Sequence, residues 1–543
     1  MDDSASTAQA VAIRDGYILA VGANRDLRKL TGPRTETINA HGGSVLPGIN
    51  DAHLHLAEYG QTFLSVDVDT DNLGDLIARV AAAADSTPAG QWIRGSGWSE
   101  LRLPRAPTRH DLDPVTGDRP TILVDFTLHT TVANTAALRA AGVDASTQPA
   151  AGSVIERDPD GQPNGLLREG AQAYVQRVLP PYSSTQMADA IGRATAVLHS
   201  RGITSLTEPG IDPPMADLYQ LLAAEGRLAM RVTALLRAGD SPETMRQALD
   251  QLRRRPRQPR GRFRLNGVKI FSDGVPTQAR TAWMRQPYLD GTNGALTIAG
   301  ANTSEQIDNL ATMIRMAHLA GAQIGTHACG DAAIDAVIAA MSRIRPGRHR
   351  HYLIHGDFVS PQTLQSMAAH HIAVSMNAEI KYMIGNALEP LLGADRTRYH
   401  WPYRVAQRAG VNVTSGSDAP VTDPNWLSGL ASMVARIDAA GQVSGPDQRI
   451  NLNSALRTYT SAPAWQDGSD SWKGALRQAM AADLCILGAD LRRSDPHDYS
   501  RIAVRATISG GRVVYEGGTA QPRSREQRRS RYLQHGCHGH QTS

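Results

Sequence analysis

Pro47-Gly48-Ile49-Asn50-Asp51-Ala52-His53-Leu54-His55 is the stretch of this 543-residue chain on which the fold turns. A Pro-Gly turn leads into a short apolar run that ends in two histidines at positions i and i+2. Alternate residues of an extended strand project to one face, so both imidazoles reach one point. Neutral imidazole is the commonest ligand of zinc and its neighbours, and the spacing suits a single ion.

Seven more apolar runs follow, at Gly202 to Glu208, Arg231 to Leu236, Leu265 to Ser272, Gln323 to His327, His351 to His355, Ile372 to Asn377 and Val411 to Asp418. Helical patterns separate them, as at Met187 to Ser200, Glu305 to Ala320 and Ala332 to Ile344. Such alternation marks βα units around a parallel sheet. Eight strands close an α/β (βα)8 TIM barrel, whose strand C-termini converge on one mouth. His327 closes the fifth run, His355 the sixth and Asp418 the eighth. Four of the eight strands therefore deliver a candidate metal ligand to one place.

The fourth run carries Lys269, one of only four lysines (29, 269, 381 and 473) among 56 basic residues. A buried amine can lose its charge and act as a nucleophile or become a carbamate; an arginine cannot. Asp273, just beyond it, is a candidate for the same metal or for substrate. Cys329, two residues past His327, is expected to pack in the βα turn.

The organisation expected is a small β-sandwich domain from 1–46 and 480–520, and a barrel over 47–479. The first part has a hairpin around Asp15-Gly16. The second has strands at Ala482 to Leu487 and Arg501 to Glu516, turning at Gly510-Gly511. Neither end alone has enough strands to bury a sheet face. Residues 58–185 read as an insertion of helices and turns after the first barrel strand. It includes Trp92 to Trp98 and the loop Gly152 to Glu169. The tail 521–543 reads as disordered, and its His535, Cys537, His538 and His540 as solvated rather than metal-binding.

Composition excludes several classes. With 41% hydrophobic and 20% charged residues the chain is a soluble globular enzyme rather than a disordered one. The net charge is only +4. The arginine cluster between Arg253 and Arg262, around Pro256 and Pro259, has no stacking aromatics, so no nucleic-acid partner is expected. No run approaches the ~18–20 apolar residues needed to cross a bilayer, and the acidic, polar N-terminus is unlike a signal peptide, so no membrane association is expected. Three cysteines, Cys329, Cys485 and Cys537, make no disulfide framework; a cytoplasmic location follows.

Pro47 to His55, VKIFSDG (268–274), THACGD (326–331), IHGD (354–357) and GSDAP (416–420) resemble the amidohydrolase superfamily, specifically amidohydrolase family 3. The likeness covers nearly the whole chain. It extends to Gly95-Ser96-Gly97-Trp98, Leu112-Asp113, His129 with Asn134, and Gly165-Leu166-Leu167 with Glu169 in the insertion, and to Ala455 to Thr460. The resemblance implies one or two divalent ions, zinc foremost. His53, His55 and Asp418 would hold one, His327 and His355 a second, and Lys269 would bridge them as a carboxylated lysine. Asp418 would also shuttle the proton from water to the leaving nitrogen, and Trp98, His129 and Asp273 would contact substrate.

The function implied is hydrolysis of a non-peptide, amide-type carbon–nitrogen bond in a small molecule, an N-substituted formamide being the nearest activity. Aromatics Trp98, Phe126, Trp283 and Tyr288 would favour an apolar substituent on nitrogen. The alternative is an aminohydrolase of cyclic amidines, disfavoured because no Glu stands beside His327. A non-catalytic scaffold is the third reading, disfavoured because all six ligand positions survive. Self-association is left open. Two departures stand out: the family's extra strand ahead of Ala10 is missing, so either Met1 is placed late or the β domain is one strand short; and Ile354 replaces a frequent Glu.

Overall fold

Each of the eight runs folds as a strand of one parallel sheet: β1 (Ile49–Asp51), β2 (Ile203–Ile211), β3 (Arg231–Arg237), β4 (Phe263–Phe271), β5 (Gln323–Ala328), β6 (Tyr352–His355), β7 (Ala373–Met376) and β8 (Val413–Ser415). The computed structural model describes residues 7–150, 152–255, 260–277, 279–344 and 347–517. Neighbours in the sheet follow chain order from β1 to β8. The ring is closed by backbone hydrogen bonds from Ala52 N–H to Ser415 O (3.0 Å) and from Asp418 N–H to His53 O (2.7 Å). The fold is thus the expected TIM barrel.

Helices jacket the sheet because each carries an apolar stripe at helical spacing. In Thr303–Leu319 the buried set is Gln306, Leu310, Met313, Ile314 and Ala317, and the N-terminal Asn302 side chain accepts from Glu305 N–H. Inside the ring Leu235, Tyr352, Ile354 and Ala373 pack with Trp465. Trp465 belongs to helix Ser461–Gln466 at the N-terminal end of the barrel. There Asp467 accepts from Asn50 Nδ2 (2.9 Å), Thr207 Oγ1 (2.7 Å) and Lys473 Nζ (2.9 Å), and its carbonyl accepts from Arg264 and Asn266.

One irregularity positions chemistry. In β4, Arg264 and Asn266 face this plug, so strict alternation would turn Lys269 away from the interior. The register against β3 slips between the pairs Ala234↔Leu265 and Leu235↔Gly267. That bulge absorbs one residue and brings Lys269 back to the inner face.

The insertion differs from expectation. Instead of helices and turns alone it builds a six-stranded mixed sheet, in spatial order Val66–Asp67, Ile93–Trp98, Thr121–Asp125, Thr130–Ala133, Pro163–Arg168 and Val154–Arg157. Its strands are only two to six residues long and several are rich in Thr and Gly, so no run shows clear alternation. Val68, Leu76, Val80, Trp98, Leu112, Leu123, Val132 and Leu166 form one of its cores.

Strands from both chain ends also meet. Val45–Pro47, Leu484–Leu487, Val504–Ser509 and Arg512–Glu516 form a four-stranded sheet, and Ala10–Arg14 pairs with Tyr17–Gly22. Ile18, Met480, Leu484, Ile486 and Ile508 share its core. Arg231, at the start of β3, clamps Asp483 at 2.8 and 3.1 Å, and Asp483 also accepts from Gly510 N–H (2.7 Å). Of the basic cluster, Arg255 pairs with Asp217 and Arg262 donates to Ala229 O and Ser509 Oγ; Pro256, Arg257 and Pro259 lie outside the described residues, as does the tail 521–543. No helix among the described residues is long and apolar enough to cross a membrane.

Asp483→Ala strands the Arg231 guanidinium in a mostly buried place, and is expected to lower stability by about 3 kcal/mol, read from the denaturation midpoint. An unchanged midpoint refutes the clamp. At the barrel's N-terminal end, His351 Nδ1 accepts from Ile324 N–H (3.1 Å) and its Nε2 meets His318 Nδ1 (3.1 Å). Burial pushes the His351 imidazole from 6.5 down to about 3. The unfolded chain therefore binds this proton more tightly, so the stability is full above pH 6.5 and is lost as pH falls towards 3. His351→Gln should flatten the decline of thermal midpoint between pH 7 and 4; an equally steep decline counts against it.

Candidate metal centre

Six side chains singled out in sequence converge at the barrel mouth. His53 and His55 stand just past β1, where the chain leaves the sheet before helix Leu56–Gln61. Asp418 follows β8. Its Oδ1 lies 3.0 Å from His53 Nε2 and 3.3 Å from His55 Nε2, and its Oδ2 3.9 Å from His355 Nδ1. His53 and His355 have ring centroids 5.0 Å apart, and His355 and His327 4.6 Å. Lys269 completes the set from β4, 1% exposed, with its charge acting on His53, His327 and His355.

The approach of β8 to β1 needs a glycine. A Cβ on Gly416 would sit 2.5 Å from His53 N. Asp51 ties the same two strand ends, accepting from His53 N–H (3.1 Å), Ser417 N–H (3.1 Å) and Ser417 Oγ (2.7 Å).

Hydrogen bonds behind the imidazoles fix which nitrogen faces inward. His355 Nδ1 donates to Asn377 Oδ1 (2.8 Å), freeing Nε2. His327 Nε2 donates to Gly274 O (3.1 Å), freeing Nδ1. Asn377 itself donates to Gly416 O (2.9 Å). Asn377 ends the seventh expected strand, but an amide is no typical ligand and sequence chemistry passes over it.

Four buried polar atoms at this mouth, His53 Nδ1 and Nε2, His327 Nδ1 and Lys269 Nζ, have no hydrogen-bond partner. His53 Nε2 is close to Asp418 without the alignment of a hydrogen bond. Orphaned buried nitrogens are costly, and here they gather beside a carboxylate. Burial holds His53 and His327 well below the ordinary histidine range and His355 down to about 4, so all three are neutral and ready to ligate. Burial likewise brings the Lys269 amine from 10.5 to about 7. Against its own burial, Asp418 is held well below the carboxylate range by His53 and His55. Neutral nitrogens around an anionic carboxylate fit a divalent cation. His53, His355 and Asp418 have ligand atoms within 4.8 Å of one another; so do His327, Cys329 and His355.

The expected substrate residues divide. His129, from the insertion, lies at the mouth, its ring centroid 5.4 Å from that of His327. Its Nδ1 meets Glu169 Oε2 at 2.6 Å, and Glu169 Oε1 accepts from Thr281 Oγ1 at 2.6 Å. A Cβ on Gly274 would be 2.3 Å from Glu169 Oε1, so this loop closes tightly on the carboxylate. Thr281 also lines a cleft of about 370 Å³ with Glu156, Arg168 and Arg280. Trp98 is placed elsewhere: fully buried in the core of the insertion's sheet, its Nε1 donates to Leu123 O (3.0 Å). Its aromatic bulk made it look like a substrate wall; the same feature made it a core residue. Asp273 is not open to substrate either. Its carboxylate accepts from the N–H groups of Trp283 (3.0 Å), Cys329 (3.1 Å) and Gly330 (2.9 Å), pinning the turns after β4 and β5.

The profile of the Amidohydrolase family matches residues 36–515. The chain is 29% identical over 525 residues to the protein YtcJ of Bacillus subtilis (strain 168), covering 94% of this chain and 96% of that one. It is 29% identical over 538 residues to the N-substituted formamide deformylase of Arthrobacter pascens, covering 95% and 96%. In fold it is similar to an uncharacterized metal-dependent hydrolase from Pyrococcus horikoshii, with a TM-score of 0.70 and 22% identity over 93% of this chain and 95% of that one. A match of that extent, laid over a barrel mouth built of imidazoles and one carboxylate, places the chain in the amidohydrolase family, hydrolases of carbon–nitrogen bonds.

Proposed function

We propose that this protein hydrolyses an amide-type carbon–nitrogen bond of a small molecule, with an N-substituted formamide as the substrate class. The orphaned, buried nitrogens of His53, His327 and Lys269 beside Asp418 carry the proposal. His53, His55 and Asp418 would hold one divalent ion, zinc by the nitrogen-rich donor set, and His327, His355 and Lys269, as a carbamate, would hold a second. Such ions would supply an acidified water and a Lewis acid for the scissile carbonyl.

The chain's own groups do the rest. Asp418 accepts the proton of the attacking water and returns it to the departing nitrogen. Its low proton affinity keeps it ionised and ready at neutral pH. His129, drawn above the ordinary histidine range by Glu169 against its burial, presents a charged donor to a substrate oxygen. Asp273 orients the turns that carry Trp283 and Cys329 rather than touching substrate. Met284, Tyr288, Phe358, Ile384 and Leu388 form a buried apolar cluster that holds together the loops after β4, β6 and β7. The two described cysteines, Cys329 and Cys485, are free and buried, as suits a cytoplasmic enzyme.

Treatment with a chelator is expected to abolish turnover of N-substituted formamides, and zinc to restore it, with metal content measured alongside. Turnover indifferent to the chelator sinks the proposal. Asp418→Asn should reduce kcat on the same substrates by about 10²–10⁴-fold. A variant that keeps wild-type kcat removes Asp418 from the proton path.

A further inference from the structure

Arg237 is the last residue of β3. Val232, Ala234 and Leu236 of that strand belong to the core between sheet and helices, whereas Leu235 packs inside the ring. Alternation is unbroken in β3, because the slips of register on its two sides fall in its neighbours, between Pro209 and Ile211 of β2 and between Leu265 and Gly267 of β4. Arg237 therefore shares the inner face with Leu235. Its partner across the ladder is Lys269, whose carbonyl accepts from Ala238 N–H (2.9 Å).

Lys269 is buried, but Arg237 is exposed at the mouth. Its guanidinium carbon lies 5.2 Å from the centre of the Phe271 ring, and Lys269 Nζ lies 4.6 Å from the same centre. The Phe271 and His327 ring centroids are 5.6 Å apart. One aromatic ring thus stands between the guanidinium and two of the proposed ligands. No carboxylate answers this charge. Arg231 is paired with Asp483, and Arg168 with Glu100 and Glu156. Among the described residues Arg237 has no ion pair, and its one hydrogen bond is a long contact from Nε to Gly210 O (3.4 Å). The acids of the mouth are engaged elsewhere: Glu169 by His129 and Thr281, Asp273 by three N–H groups, and Asp418 by His53 and His55.

We infer that Arg237 recognises a carboxylate on the nitrogen substituent, so that the substrates are N-formyl amino acids or similar N-acylated acids. The inference rests on the hydrolase reading proposed above. The fork of a guanidinium matches the two oxygens of a carboxylate, and such charge-assisted pairs are stronger than neutral hydrogen bonds. A contact made to the substituent, away from the scissile bond, is the same in the bound substrate and in the transition state. It therefore acts on KM rather than on kcat.

The probes are the N-formyl derivatives of glycine, β-alanine and γ-aminobutyrate, each set against its own carboxamide, which keeps the shape and removes the charge. The full-length, zinc-loaded protein is expected to favour the acid over the carboxamide by about 10–100-fold in kcat/KM at the chain length that reaches Arg237. This comparison needs no substitution. Arg237→Gln should erase the preference, chiefly through a higher KM for the acid. Arg237→Lys, which keeps the charge and gives up the fork, should recover part of it. Carboxamides turned over as well as acids by the wild-type protein overturn the inference and leave the hydrolase reading standing. A preference that survives intact in Arg237→Gln does the same, as does an equal loss on both series, which would make Arg237 a support of Lys269 instead. Turnover of neither series overturns both.

Discussion

The backbone hydrogen bond from Asp418 N–H to His53 O, 2.7 Å long, joins the last strand of the barrel to the first. Without it, and its companion from Ala52 N–H to Ser415 O, the eight strands would be an open sheet. His53 and His55 would then stand at one edge and Asp418 at the other. Ring closure turns the two edges into neighbours, and Gly416 lets the backbones approach because no Cβ intervenes. Asp51 strengthens the seam by accepting from both the N–H and the hydroxyl of Ser417 across it. The site's composition thus depends on topology: residues far apart in sequence meet only because strand order follows chain order all the way round.

Closure alone does not aim the side chains. Tyr352 and Ile354 face the barrel interior, so regular alternation would send His355 outward. Its φ of 71° turns it back to the mouth. Asp418 (φ 58°) and Glu169 (φ 52°) are likewise left-handed. A non-glycine residue there costs on the order of 1–3 kcal/mol and persists only where its surroundings hold it. They do: Trp401 Nε1 donates to His355 O (3.1 Å), Val421 N–H to Asp418 O (2.8 Å), and Glu169 N–H to His129 O (2.9 Å). Together with the β4 bulge that returns Lys269 to the inner face, these strained positions set which atoms share the mouth. A divalent cation would give these buried, partnerless nitrogens a partner and balance the carboxylate beside them.

These devices mark the limit of what the sequence discloses. Strand count, strand order and the residues at strand ends were legible because apolar runs separated by amphipathic helices are a strong periodic signal. His53, His55, His327, His355 and Asp418 stood out by ligand chemistry at those ends, and Lys269 by rarity in an arginine-rich chain. The bulge and the three left-handed residues were not legible, since each is imposed by packing around it and no residue type announces it. The insertion's sheet escaped for another reason: Val66–Asp67 and Thr130–Ala133 are too short to show a period. Trp98 misled because an indole in a short Gly-Ser run looks the same in a core as at a mouth.

The insertion meets the barrel near the mouth, with Leu101 against the apolar cluster of the barrel loops and Glu169 bonded to Thr281, whereas the core of its sheet is its own. Its two apolar clusters contain no barrel-strand residue. Glu169 is the junction: one carboxylate oxygen takes Thr281 from the loop after β4, the other takes His129, and His129 lies against His327. Any shift of Glu169 therefore carries His129 with it. The same carboxylate lies against Gly274, whose carbonyl orients the His327 ring. The placement of His129 and the orientation of the His327 ring are thus coupled through one glutamate on an element the barrel does not need for closure.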